Sequence, residues 1–182
     1  MRLAHTEGHP DLPGTVAEAA ALRARYPDTV SLADADATTD RVLAALDDAE
    51  SAHFACHALH DAESPSRSGL MLHDGLLPVP RIGAARLAGE LAYLSACSTA
   101  QGSWAHADEV VHVGSAFQLA GYRHVVGTLW PVDDGVAAAA ARRFYEQSAE
   151  APAAALHRVV AELRARHPDR PDLWAPFIHS GP

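Results

Sequence analysis

Two apolar stretches, each carrying a reactive side chain near its end, constrain the fold of this chain more than any other feature. The first, HFACHA, spans residues 53–58 and carries His57. The second, YLSACSTAQG, spans residues 93–102 and carries Cys97, 40 residues after His57. Each stretch has the composition of a buried strand that runs out into a polar loop. Because open α/β sheets place their sites at the carboxyl ends of neighbouring parallel strands, we expect His57 and Cys97 to meet at one sheet edge.

Cysteine beside histidine is typical of a nucleophilic pair. A free thiol has a pKa of roughly 8.5, so few thiols are ionised at neutral pH. An imidazole within hydrogen-bond reach of Cys97 would raise the reactive fraction. The alternative is that Cys97 is a small buried core residue, which is the commoner role of a free cysteine. The order of His57 and Cys97, each at the end of an apolar run, favours the pair.

Composition limits the classes of protein to which the chain can belong. Its length of 182 residues predicts a single domain over residues 1–182, in which residues 2–5 are compatible with a truncated first strand. A net charge of −9 argues against nucleic acid and anionic membranes as partners. The chain has no membrane-spanning apolar run, no signal-peptide pattern and only 2 cysteines, which together predict a cytoplasmic location.

Hydrophobic periodicity and turn residues divide the remaining chain into alternating helices and strands. Helices are predicted over 15–26, from Thr38 or Thr39 to 46, over 80–87, from Asp108 or Glu109 to 120, from about 133 to near Ala149, and from Pro152 onward. Strands are predicted over 29–32, 53–58, 69–72, 76–79, 90–96 and 124–130, while 98–108 is a loop and the apolar segment 174–178 docks back on the domain. This alternation predicts an α/β fold with a mainly parallel central sheet and helices on both faces.

A zinc site is the main alternative for the first apolar stretch. His53, Cys56, His57 and His60 are four potential ligands close together in sequence. In a strand, however, His53 and Cys56 project to opposite faces of the sheet, so the four side chains cannot easily converge on one ion. We therefore expect no metal and no other cofactor, and we predict that Cys56 is a core residue.

Several ordered motifs make the chain resemble the CHAT domain family of caspase-like and separase-like cysteine peptidases from about Leu12 to Pro182. The motifs are LPGTVAEAAAL, HFACHA, SRSGLMLHDG, YLSACSTA, DEVVHVGSAFQLAGYRHVVGTLWPVDD, RRFYEQ and WAPFIHSGP. The resemblance implies a caspase-like three-layer sandwich with His57 and Cys97 as the catalytic pair. Because family domains often follow helical repeats in longer chains, it also implies control by a regulatory partner or an upstream sensor domain.

The resemblance further implies an endopeptidase that acts on a protein or peptide substrate. The oxyanion would be held by the backbone N–H groups of Cys97 and Ala58. Relatives usually carry glycine where this chain has Ala58, and CETG or CSSG where it has CSTA from Cys97 onward. Such departures bear on catalytic efficiency. The alternative is a catalytically silent or partner-gated signalling module with the same fold.

The stretch TLWPVDD resembles the LWDVTD stretch of separases, in which an acidic residue helps to receive a basic side chain before the cleaved bond. Matched by position, Asp134 is the candidate substrate-binding residue and Asp133 is the next. This match predicts cleavage after arginine or lysine. The alternative is that Asp133 caps the following helix and that Asp134 supports the same helix end.

Overall fold

The computed structural model describes the backbone of residues 1–61, 63–98, 109–147 and 151–182, and most of their side chains. The described strands are β1 Ser51–Leu59, β2 Gly69–Leu72, β3 Gly75–Pro78, β4 Leu91–Ser98, β5 His124–Thr128 and β6 Phe177–Ser180. The described α-helices are α1 Gly14–Arg25, α2 Thr39–Leu46, α3 Val79–Gly83, α4 Glu109–Ala120, α5 Asp134–Glu146 and α6 Pro152–Arg166. Short 3₁₀ turns lie at Asp34–Asp36, Pro65–Arg67 and Pro171–Leu173.

The six described strands form one mixed sheet in the order β3-β2-β1-β4-β5-β6. Only the three central strands are parallel, since β1 pairs with β4 and β4 with β5 in parallel register, while the other three pairings are antiparallel. The α/β prediction is confirmed, but the prediction of a mainly parallel sheet holds only for the centre. The short turn at residues 73–74 forces β2 and β3 to run antiparallel, since a parallel connection needs a dozen residues or more.

Alternation along the central strands divides the interior into two hydrophobic cores. Phe54, Cys56 and Leu94 pack on one face of the sheet, in the core that includes buried residues of α2, α3 and α4. Tyr93 and Val126 pack on the other face, in the core that includes buried residues of α5 and α6. Helices therefore cover both faces, and the molecule has three layers. The prediction that Cys56 is a core residue is confirmed, because its side chain is fully buried.

Most of the predicted elements are present, with shifted ends. The predicted strand over 29–32 is absent from the described strands, but Arg2 forms single parallel bridges to Ala33 and Ala55 and so lies between those two segments. The apolar segment at 174–178 leads into the edge strand β6, which was not predicted as a strand. Helix α5 ends at Glu146, and the predicted end near Ala149 lies outside the described residues.

Other predictions fall partly outside the described part of the chain. The predicted loop over 98–108 lies outside it from residue 99 onward, and so does the alternative helix start at Asp108. No helix of the described ranges combines the length and apolar character that a membrane crossing requires.

Candidate active site

The register of the two central strands brings the positions of His57 and Cys97 side by side. Strands β1 and β4 pair in step from Ser51 with Leu91 to Ala58 with Ser98, and in this ladder His57 is the partner of Cys97. Both positions lie near the carboxyl ends of their strands, as the sequence predicts. At Cys97 the structure describes the backbone, so the strand register is what fixes the position of this residue beside His57.

His57 is held by a main-chain carbonyl group. Its side chain is buried, with 3% of the residue exposed, and Nε2 lies 2.8 Å from the carbonyl oxygen of Pro10. A carbonyl oxygen can only accept, so Nε2 must carry the proton in this hydrogen bond. Nδ1 is buried and has no hydrogen-bond partner among the described residues. In the neutral ring Nδ1 therefore carries the lone pair, which is the requirement for a proton acceptor.

The surroundings of His57 favour the neutral imidazole. Burial is the largest effect and lowers the pKa of His57 below its ordinary value of 6.5, since the charged ring loses hydration. The hydrogen bond to Pro10 raises this pKa, the nearby His9 lowers it and the carboxylate of Asp134 raises it. The net direction is downward, so His57 is neutral at pH 7 and able to accept a proton.

The segment before α1 folds back over β1 and delivers the Pro10 carbonyl. The N–H of Leu12 donates to the carbonyl of Ala4 at 2.8 Å and closes the loop, and the N–H of His9 donates to Thr6 at 3.0 Å. Gly8 has φ +78°, a left-handed conformation that glycine adopts without a steric penalty. This loop, residues 4–13, places the ring of His9 with its centroid 5.0 Å from that of His57.

The sequence patterns do not mark Pro10 or His9 as part of the site. Pro10 acts through a main-chain oxygen, which every residue type possesses, so no residue pattern could reveal its role. The only local signal was the turn at residues 12–14, which marks the end of the loop.

The two aspartates after β5 are both engaged at helix ends. Asp133 is the N-cap of α5 and accepts a hydrogen bond from the N–H of Val136 at 3.1 Å, as the capping alternative expects. Asp134 is half-buried and accepts the N–H of Gly14, the first residue of α1, at 2.5 Å. A Cβ atom at position 14 would lie 2.7 Å from this carboxylate, so glycine permits the close approach. Asp134 thus ties the start of α1 to α5 and also acts electrostatically on His57.

The backbone at Ala58 continues the strand beyond His57. Ala58 is opposite Leu70 of β2 in the antiparallel ladder and opposite Ser98 of β4 in the parallel one. The two residues whose N–H groups were expected to hold an oxyanion, Ala58 and Cys97, therefore lie diagonally across the β1–β4 ladder.

A buried polar network lies on the same face of the sheet, nearer the amino ends of the strands. Glu18 of α1, with 1% of its side chain exposed, lies 2.7 Å through Oε2 from His53 Nε2. Its other oxygen accepts the hydroxyl of Ser95 at 2.9 Å. The second ring nitrogen of His53 lies 3.1 Å from the Tyr145 hydroxyl, and the ring stacks on Tyr93 with centroids 5.1 Å apart. Glu18 therefore ties α1 to both strands that carry the candidate pair.

The role of Glu18 was also missed, because the apolar pattern of α1 points elsewhere. The apolar residue Val16 is 48% exposed, whereas Thr15 and Glu18 are buried. Helix α1 covers a polar part of the sheet, so its buried face does not follow the hydrophobic periodicity.

The potential zinc ligands do not share one face. His53 contacts Glu18 on the α1 side, whereas Cys56 packs in the core on the opposite side. Among the described residues there is no group of three or more histidine, cysteine, aspartate or glutamate side chains arranged to hold a metal ion.

Comparison with known proteins places the chain in a family. The family model described as CHAT domain matches residues 2–182. No curated protein matches the chain. The CHAT domain family is related to caspase-like proteases, and the matched range includes both β1 with His57 and β4 with Cys97. Since the match spans almost the whole sequence, the chain belongs to the CHAT domain family.

Proposed function

We propose that this protein is a cysteine endopeptidase in which Cys97 is the nucleophile and His57 is its general base. The observation that carries the proposal is the pairing of positions 57 and 97 in adjacent parallel strands, beside an imidazole whose Nδ1 has no partner among the described residues. Neighbouring strands lie about 4.8 Å apart, so side chains from paired positions can come within reach of each other.

The first half-reaction forms an acyl-enzyme. Nδ1 of His57 takes the proton of the Cys97 thiol, and the thiolate attacks the carbonyl carbon of the scissile peptide bond. The carbonyl electron pair moves onto oxygen, where the N–H groups of Cys97 and Ala58 stabilise the negative charge. The C–N bond then breaks, the leaving nitrogen takes the proton from His57, and the acyl group remains on sulfur as a thioester.

The second half-reaction releases the acyl group. His57 takes a proton from a water molecule, whose oxygen attacks the thioester carbon. The C–S bond breaks, the new carboxylic acid leaves, and the proton on His57 restores the Cys97 thiol or remains as the counter-charge of the thiolate. The Pro10 carbonyl supports both halves, because its hydrogen bond to Nε2 fixes the tautomer and stabilises the imidazolium while it exists.

We also propose that the substrate carries arginine or lysine before the cleaved bond and that Asp134 receives this side chain. The carboxylate is half-buried and close enough to His57 to influence its protonation. One hydrogen bond from Gly14 leaves further acceptor positions on a carboxylate, which can accept about four. A guanidinium could occupy these positions with planar geometry.

A peptide library analysed by mass spectrometry tests the proposal. The wild-type protein and a Cys56→Ser control should cleave after basic residues, while Cys97→Ala should leave the library intact. Cleavage by a well-folded Cys97→Ala protein would overturn the assignment of the nucleophile. If the wild type also leaves the library intact although Cys97 is alkylated in a pH-dependent way, the partner-gated module of the same fold is the better description.

A further inference from the structure

The loop that carries Pro10 also places a second imidazole against the candidate base. The rings of His9 and His57 lie 5.0 Å apart between centroids, at an angle of 32°. His57 is buried, whereas His9 is only half-buried and keeps access to water. Two charged rings at this separation repel each other, so a positive charge on His9 disfavours a second positive charge on His57.

The other elements around His57 contribute groups of a different kind. Helix α5 contributes Asp134, whose negative charge favours a protonated His57. Strand β4 contributes Cys97 as the register partner. Helix α1 contributes Glu18, whose carboxylate is bound within the network near the amino ends of the strands. Among the described residues with an electrostatic effect on His57, His9 opposes its charge and Asp134 supports it.

The position of His9 is fixed by the fold of the loop. Its own N–H is bound to Thr6, and the next residue, Pro10, is hydrogen-bonded to His57 itself. On the outer side of the same loop, the exposed His5 is paired with Asp11 at 2.7 Å. The loop thus presents one histidine to the base and another to the solvent, which supplies a matched control.

We propose that His9 is a regulatory positioning residue of the site, which opposes protonation of His57 whenever His9 itself is charged. The inference rests on the proposed role of His57 as base, but it concerns only when that ring takes up a proton. With His9 present, the base stays available to more acidic pH than it would alone. Without the imidazole, His57 should be protonated at a higher pH, and the acidic limb of any pH–rate profile should move in the same direction.

The test is a titration of the histidine C2–H resonances by NMR on the full chain, with the His57 signal assigned by its loss in His57→Gln. In His9→Gln the titration of His57 should move to higher pH. His9→Lys keeps a positive charge at the same place, so the titration should not move upward. In His5→Gln the titration of His57 should be the same as in the wild type. Circular dichroism shows that each variant is folded.

An unchanged His57 titration in His9→Gln, or an equal upward shift in His9→Lys, would overturn the inference. An unchanged titration would mean that His9 only packs against His57. An equal shift in His9→Lys would mean that the shift comes from lost packing and not from lost charge. This readout is independent of peptide cleavage. If His9→Gln shifts the titration but the wild type has no peptidase activity, the proposed function fails and the electrostatic role of His9 stands. If the wild type cleaves peptides and the His57 titration does not move in His9→Gln, the proposed function stands and the electrostatic role of His9 fails.

Discussion

His53 and His57 lie four residues apart on the same strand and the same face of the sheet, yet their surroundings differ. Both ring nitrogens of His53 have partners, Glu18 at one and Tyr145 at the other. His57 has one partner, the Pro10 carbonyl, and its Nδ1 has none among the described residues. A histidine with both nitrogens engaged holds structure together, whereas one with a buried, unengaged nitrogen can accept a proton. The difference lies in the groups that cover each ring, since α1 and α5 supply Glu18 and Tyr145 to His53, whereas the loop before α1 supplies the Pro10 carbonyl to His57.

The largest effect expected from this comparison is on turnover. His57→Asn removes the proton acceptor and should reduce kcat/KM by about two to four orders of magnitude. His53→Asn, in the same strand, should retain turnover in whatever fraction of the protein is folded. Steady-state assays with a peptide selected from the library, corrected for folded fraction, check this contrast. Comparable losses of turnover per folded molecule in the two variants would remove the distinction between the histidines.

The second effect is a loss of stability, expected when the buried network around His53 is broken. Glu18→Leu leaves His53 and Ser95 without their buried acceptor, and breaking a buried pair costs about 3–5 kcal/mol. Urea unfolding of this variant should show the loss as a lower midpoint. Glu7→Leu, in the loop and exposed, is the control and should change stability little. A Glu18→Leu protein as stable as the wild type would show that the network is not a structural support.

A smaller effect on stability is expected at Asp134, which accepts a hydrogen bond from Gly14 and which we propose as the acceptor of a basic substrate side chain. Asp134→Asn weakens the hydrogen bond to Gly14 and should lower the free energy of unfolding by on the order of 1 kcal/mol, as the loss of a helix cap does. If Asp134 also receives a basic substrate side chain, cleavage after arginine should fall by orders of magnitude while alkylation of Cys97 is preserved. Asp133→Asn, at the neighbouring cap of α5, serves as the control for a purely structural loss. A substrate profile with acidic or apolar residues before the cut bond would rule out the pocket and leave the catalytic pair unaffected.

The sequence was sufficient for features that depend on local patterns. The presence of β1 and β4, the hairpin at residues 73–74 and α1 follow from periodicity and turn residues, although both ends of each strand differ from the prediction by one or two residues. The pairing of His57 with Cys97 follows from neighbouring parallel strands in step. The sequence was insufficient where distant segments meet through main-chain groups, because every residue type carries these groups. The Pro10 carbonyl is of this kind, and so is the position of β6, whose four residues alone do not specify which sheet edge they join.

The burial of Glu18 is the second feature that sequence patterns could not predict. A glutamate in an amphipathic helix is expected to face solvent, because burying a carboxylate is unfavourable unless it is paired. Glu18 is buried only because the folded sheet presents His53 and Ser95 to it. The partner residues belong to two strands far along the chain, so the helix sequence by itself could not indicate the buried position.

The smallest expected effect is the dependence of the free energy of unfolding on pH, to which the buried ring of His57 contributes. Burial lowers the pKa of His57, and burial followed by the nearby His124 lowers that of His179. Between the folded pKa values and 6.5 the unfolded chain binds more protons than the native state, so the free energy of unfolding should fall as pH decreases below about 6.5.

Substituting His57 isolates its share of this dependence. His57→Gln removes one titrating ring but can still donate to the Pro10 carbonyl, so its stability should fall less steeply with acidification than that of the wild type. Carboxylates whose pKa is lowered, such as Asp74, lose their contribution near and below 3.8 and do not affect this window. Urea unfolding at several pH values between about 5 and 7.5 measures the slopes, with the exposed His5→Gln as control. Equal slopes in wild type and His57→Gln would mean that the imidazole is protonated as readily in the folded protein as in the unfolded chain, and the lowering of the pKa of His57 by burial would be refuted.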